Sequence, residues 1–187
     1  MTTIFDTILQ QGVRQGIVPA RTRAARDWYR DQAGKVTGNI TPSRILNRAE
    51  ETRKTTDMEY GLMYAFRYDP KMKKELPYYD TFPIVFPFSL TEDGFYGYNL
   101  HYLPLNYRAV FMDSIYGNNS TGSSKITTKL FEICTKRYIL RNIKSKIAVI
   151  PEEEWELALF LPLQRFQKQS EGTVWSDSVS RLSERKV

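Results

Sequence analysis

The chain has 187 residues, 41% of them hydrophobic and 13% aromatic, which is enough for one domain with its own core and argues against general disorder. A single cysteine, Cys134, and a single histidine, His101, exclude an intramolecular disulfide and any clustered Cys/His metal site. The net charge of +6 is uneven: residues 1–56 hold ten Lys/Arg against five Asp/Glu and residues 125–146 hold seven against one, a pattern suited to a polyanion or an acidic protein surface. In chain order, residues 3–11 set Ile4, Phe5, Ile8 and Leu9 on one helical face. Val18-Pro19 breaks that pattern, and Ala20–Gln32 reads as a second helix carrying Arg23, Arg26 and Arg30 on one face beside Trp28 and Tyr29. Residues 33–39 read as a linker, and Thr41-Pro42-Ser43 opens a third helix through about Lys54. Its apolar content is thin, and short helices are marginal alone in water. Residues 1–56 are therefore expected to form a helical arm that finds its stability on a neighbouring surface, the alternative being a helical hairpin folded back on the core.

From Met58 the chain changes character. MEYGLMYAFRYD suits a strand ended by Tyr68-Asp69-Pro70, and PKMKKELP is a basic, exposed connection. Residues 76–113 are the aromatic, proline-rich centre of the chain. Two apolar runs, Phe82–Phe88 and Phe95–Leu103, flank SLTEDG, which predicts a hairpin with positive φ supplied at Asp93-Gly94. Pro83 and Pro87 cannot donate to a ladder, so the first run is expected at an edge or irregular. Pro104 starts a helix whose inner side is expected to hold Tyr107, Val110, Phe111, Ser114 and Ile115, with Gly117 stopping it. NNSTGSSK reads as a flexible polar loop. Ile126–Ile139 reads as one helix with Lys129, Lys136, Arg137 and Arg141 largely off its apolar stripe, and Cys134 as a packing residue. NIKSKIAVIP predicts a strand, and PEEEWELALFLP a helix whose three leading acids form a solvated start. In the polar tail, Trp175 stands out as an anchor for a pocket on this chain or a neighbour.

Catalytic chemistry finds little support. His101 has no nucleophile and orienting carboxylate spaced around it, and reads as a packing residue. No phosphate-binding P-loop occurs, and GFYGYN lacks the third glycine of a dinucleotide fingerprint. The expectation is a protein that is not an enzyme and has no cofactor, no metal and no catalytic residue. The positive signal is basic residues interleaved with rings in RTRAARDWYR and KRYILRNIKSK, the residue types that hold phosphates and stack on bases. No helix-turn-helix, RNP or KH pattern accompanies them, and Arg with Trp and Tyr also marks protein interfaces. Candidate contacts to nucleic acid or an acidic partner are Arg21, Arg23, Arg26, Arg30, Lys136, Arg137, Arg141 and Lys144, with Trp28 and Trp175 as partner anchors. No apolar run reaches the ~18 residues of a membrane span, and MTTIFDTILQQG has no basic start leading into a long apolar stretch. A soluble protein made in a reducing cytoplasm, with no membrane partner, is expected.

LPYYDTFPIVFPF, GFYGYNLHYLP with Tyr107-Arg108 after it, NIKSKIAVIPEEEW and LFLP-LQRF together resemble a family of small virion structural proteins of contractile-tailed, myovirus-type bacteriophages, of the head-completion and DNA-end-protector kind. The likeness spans about residues 64–177 and carries no catalytic motif. It implies a virion protein made in the bacterial host cytoplasm, present in multiple copies in a symmetric assembly with other virion proteins at the head, neck or tail baseplate, with packaged double-stranded DNA as a candidate contact. The alternative is a nucleic-acid-binding regulatory protein outside the virion. The expected fold is mixed α+β: a small antiparallel sheet or partly closed barrel with flanking helices, a helical N-terminal arm (1–56), a core domain (57–166) and an extended C-terminal tail (167–187).

Overall fold

The computed structural model describes residues 4–18, 22–37, 40–116 and 124–184. The expected hairpin lies at its centre, where β4 (Ile84–Thr91) and β5 (Gly94–Asn99) pair antiparallel about a turn at Glu92-Asp93. The sheet extends to six strands in the order β1 (Thr52–Arg53), β7 (Ile147–Ile150), β2 (Met63–Ala65), β4, β5, β6 (Thr135–Ile139). Its paired strands all run antiparallel. A separate two-stranded ladder joins β3 (Tyr79–Asp80) to β8 (Phe166–Gln167). Seven α-helices are described: α1 (Ile4–Arg14), α2 (Arg23–Gly34), α3 (Pro42–Arg48), α4 (Leu105–Ile115), α5 (Ser124–Cys134), α6 (Trp155–Phe160) and α7 (Glu171–Ser183). The fold is mixed α+β, and the sheet stays open rather than closing into a barrel.

Both sheet faces are covered. Met63, Ala65, Ile84, Phe86, Ala148 and Ile150 turn toward the helices and join the main core. The alternate residues, among them Tyr64, Phe66, Val85, Phe95 and Tyr138, form a second cluster on the opposite face. Phe66 meets Tyr138 edge-on at 5.5 Å and Phe95 stacks on Tyr138 at 5.2 Å, arrangements that add to plain burial. After β6 the chain folds back beside the end of β2. Lys144 N–H donates to the Arg67 carbonyl at 2.8 Å, Ile139 N–H donates to the Tyr68 hydroxyl at 3.0 Å, and Tyr68 bridges Ile143.

Several local expectations change for identifiable reasons. β4 is interior rather than an edge, but only Ile84 and Val85 pair with β2. Pro87 lies past that contact, where the β4–β5 register shifts between Pro87 and Ser89, so its missing N–H interrupts no ladder on the β2 side. Among the described residues only Gly16, Gly61 and Lys168 have positive φ, so Gly94 does not serve the turn. It serves β6: a Cβ at Gly94 would stand 1.9 Å from the Tyr138 carbonyl oxygen. Gly94→Ala is therefore expected to force β5 and β6 apart and destabilise the domain by at least about 2 kcal/mol. The expected readout is a lower urea midpoint with an unchanged slope.

The helix expected over Ile126–Ile139 ends at Cys134, and Thr135–Ile139 becomes β6, paired with β5 from Gly94–Ile139 to Tyr98–Thr135. The third helix stops at Arg48 because Thr52–Arg53 pairs with β7. On α4 the buried side is Arg108, Phe111 and Met112. The NNSTGSSK loop lies almost wholly outside the described residues. Within residues 1–56, Phe5, Ile8, Tyr29, Ala33, Ile45 and Leu46 are buried in the main core. The 167–187 segment forms α7, capped where Thr173 N–H donates to the Ser170 hydroxyl, with Val174 wholly buried.

Candidate nucleic-acid interface

The two basic segments fold to different ends. Among the α2 arginines, Arg23 is exposed and only loosely paired with Asp27 at 3.9 Å. Arg26 is 1% exposed and bonds Asp113 of α4 at 3.2 Å, with Glu156 of α6 at 4.0 Å. Arg30 grips both oxygens of Glu156, at 2.6 and 3.2 Å, and Asp113 at 3.0 Å. Burial works against the Arg30 charge, but the bonds to Glu156 and Asp113 outweigh it and hold its pKa above the ordinary value. One of the three acids read as a solvated helix start is likewise a buried counter-ion: Glu154 bonds Arg48 at 2.5 Å. Trp28 is half-buried, edge-on to Tyr29 at 4.8 Å within the core. Arg21 lies outside the described residues.

The β6 cations line open surface instead. A depression of about 440 Å³ is walled by Tyr68, Tyr78, Tyr79, Tyr102 and Tyr138, with Lys71, Lys136 and Arg137 on it. A second depression of about 430 Å³ shares Tyr68 with the first and adds Arg67, Lys144 and Arg165. Lys136 follows the end of α5 and donates to the Ile133 carbonyl at 2.7 Å, its ammonium 4.2 Å over the Tyr102 ring. No carboxylate among the described residues lies within ion-pairing distance of it. Burial, opposed in part by Cys134 and helped by the neighbouring Arg181 charge, brings its pKa down to about 8. Arg137 is exposed and pairs with Asp93 at 2.8 Å. An exposed pair of this kind contributes little to stability, so a phosphate can replace the carboxylate. Arg141 and Lys144 are exposed on the segment that folds back after β6.

The floor and walls are fixed from behind. Asp80 is buried and all its bonding is internal. Oδ1 accepts from Phe82 N–H at 3.0 Å and Arg165 N–H at 3.1 Å. Oδ2 accepts from Asn99 Nδ2 at 3.1 Å and lies 2.7 Å from His101 Nδ1. Burial raises the Asp80 pKa, but His101, the Phe82 amide and Asn99 more than offset it and hold the carboxyl below its usual range. Burial likewise keeps His101 below the ordinary imidazole value, so the neutral ring donates from Nδ1. Arg108, fully buried, donates to three carbonyls: Leu103 at 2.8 Å, Leu159 at 2.6 Å and His101 at 3.2 Å. Burial lowers its pKa to about 10. Trp175 of α7 lies against this arginine, 5.3 Å from ring centroid to guanidinium, and donates to the same His101 carbonyl at 2.9 Å. This tryptophan thus fills a pocket on its own chain. Lys168, at φ 70°, donates to the carbonyls of Lys74 and Leu76 and ties down the loop before Tyr78.

Sequence spacing missed Lys71, Tyr78, Tyr79, Asp80 and Arg108. The usable signal was PKMKKELPYYD, a basic run leading directly into two adjacent rings.

A family profile described as phage T4 terminal DNA protecting protein matches residues 41–179. The chain belongs to that family. The resemblance drawn on residues 64–177 falls inside the matched span, as does every residue of the two depressions. Arg23, Arg26 and Arg30 lie before it. No curated protein and no solved structure matches the chain. Of the two basic segments, then, the one wholly inside the family span is also the one whose cations line the two depressions beside rings.

Proposed function

We propose that this chain is a phage virion protein, made in the host cytoplasm, that binds the ends of double-stranded DNA and shields them. Binding, rather than catalysis, is its task. The observation that carries this reading is the meeting of Lys71, Lys136 and Arg137 with five tyrosines around one open depression, in a chain of a terminal DNA protecting family. Cations hold the phosphates and rings supply stacking surface. The contact set is Lys136, Arg137, Arg141 and Lys144, expected from the sequence, joined by Arg67 and Lys71. Arg26 and Arg30 act as buried counter-ions instead, and Arg23 is peripheral. His101 is buried with its proton directed to Asp80, and burial pushes the Cys134 thiol up to about 12; neither is placed to do acid–base or nucleophilic work on a ligand.

A protein that guards DNA termini belongs at the head or neck, where a packaged terminus lies, rather than at the tail baseplate. We place its contacts with other virion proteins, and its repetition in a symmetric assembly, on apolar groups left facing outward. These are Val13 and Val18 near the N-terminus, Val179 on α7, and Phe88 and Leu90 on the hairpin.

The test compares linear DNA with a covalently closed circle of the same sequence. At low salt the linear form is expected to bind and resist exonuclease, with affinity falling steeply as salt rises. The double substitution Arg137→Gln with Lys144→Gln is expected to lower the salt slope by roughly 2, about one for each phosphate no longer neutralised. Equal binding to circles, or no binding at low salt, overturns the reading.

A further inference from the structure

The first depression is more than a phosphate contact needs. Its volume of about 440 Å³ lies in the range of about 300–1,000 Å³ that holds small-molecule ligands, and five tyrosines stand on its wall. That wall is already in place. Tyr79 is fixed by the β3–β8 pairing. Tyr78 packs 6.1 Å from Tyr102, and burial together with the nearby Asp177 charge of α7 pushes its phenol up. Lys168 pins the loop that leads into both rings. Lys136 reaches the same space with a largely desolvated ammonium and no carboxylate beside it, a group that an arriving anion would stabilise. Asp80, at the back, has its oxygens engaged by Phe82, Arg165, Asn99 and His101, so it is a structural anion and not a free charge facing the ligand.

We propose that this pocket takes the unpaired terminal nucleotide of one DNA strand, with its base against Tyr78 and Tyr79 and its phosphate on Lys136 and Arg137. The inference rests on the DNA-end reading and goes beyond it by stating how an end is told from an interior. A base inside a duplex must be unstacked and unpaired before it can enter such a pocket, whereas a frayed or overhanging terminal base has little or none of that cost. Backbone cations alone carry no such discrimination.

The experiment titrates the full-length protein, at one fixed salt concentration, with three fluorescent DNAs: a blunt duplex, the same duplex with one unpaired terminal nucleotide, and a closed circle. The unpaired end is expected to bind about tenfold tighter than the blunt one, the order of a single base–ring stack. Tyr78→Ala and Lys136→Gln should each bring the ratio of unpaired-end to blunt-end affinity down to about one, whatever each does to blunt-end binding itself. Lys136→Arg should keep the preference. With an iodouridine as the unpaired nucleotide, ultraviolet crosslinking of the unaltered protein should map to Tyr78 or Tyr79, a readout that survives if a variant fails to fold. Equal affinity for blunt and unpaired ends, or crosslinks mapping away from this wall, overturns the proposal while linear DNA is still preferred over the circle. Loss of the preference for linear DNA itself overturns the DNA-end reading as well.

Discussion

Replacing Arg108 by alanine is expected to lower the unfolding free energy by about 3–5 kcal/mol, among the largest effects of any single change in this chain. The guanidinium is wholly buried with no carboxylate among the described residues bonded to it, and three carbonyls, those of Leu103, Leu159 and His101, accept its protons. A buried charge is expensive to desolvate, so an apolar replacement would gain stability if the charge were the whole matter. It is not, because the replacement also strips donors from three buried backbone acceptors, each worth roughly 1–3 kcal/mol when left bare. The His101 carbonyl keeps Trp175 as a donor, whereas Leu103 and Leu159 lose their bond from Arg108. Arg108→Met restores the volume but not the donors, and is expected to recover only the cavity part of the loss. Arg108→Lys keeps a charge without the planar fork, and should fall between methionine and the native residue. For a chain of this length a loss of about 4 kcal/mol corresponds to a drop in melting temperature on the order of 10 °C, and calorimetry on the three variants ranks them. A stability of Arg108→Met equal to the native protein would show that the carbonyls are satisfied otherwise. Because Trp175 packs on the same guanidinium, the alanine variant should also loosen α7. Tryptophan fluorescence reports that directly.

What the sequence made legible, and what it hid, follows from where each interaction partner lies along the chain. The β4–β5 hairpin is readable because its strands and turn are contiguous, and Trp175 stands out because its neighbours are polar. The mixed α+β class follows from the same local patterns. The end of α5 is not readable: Ile133, Cys134, Tyr138 and Ile139 fit a helical stripe as well as they fit α5 followed by a strand. Pairing with Gly94–Tyr98 of β5 decides it, some forty residues away in sequence. That shift of assignment moves Lys136 from a helix flank to a pocket wall. Gly94 shows the same limit, since Asp-Gly is a strong turn signal and nothing local reveals that β6 passes within a methyl group's reach. Arg26 and Arg30 share the spacing of a solvated basic face. Their partners, Asp113 and Glu156, lie 83 to 126 residues further on. Spacing alone cannot separate a phosphate contact from an interior counter-ion when the deciding acid is that remote.

Glu156→Ala is expected to cost about 3–5 kcal/mol and to act on one region first. Glu156 is nearly inaccessible and accepts both arms of Arg30, with Arg26 close by. Removing it leaves both guanidinium groups on Asp113, with Arg30 held besides only by the exposed Asp27 at 3.1 Å, and neither arginine can shed its proton to escape. The remaining way to relieve that charge is for α2 to leave α6 and let water in. Hydrogen exchange should therefore accelerate through α2, with α1 following because it packs on α2, while β4 and β5 keep their protection. Glu156→Gln retains the shape and one acceptor oxygen but not the charge, and should cause the same change to a smaller degree. If protection falls equally in the sheet, the N-terminal helices and the sheet form one cooperative unit. If it falls only in the helices, residues 1–56 are separable at a free energy set by this ion-pair cluster, and a neighbouring protein in an assembly could draw them outward by supplying an alternative acid. DNA binding should be nearly untouched in either variant, since Lys136, Arg137 and Lys144 lie on the other basic segment. A large loss of affinity in Glu156→Gln, with the sheet still protected, would return the α2 arginines to the DNA-contacting surface.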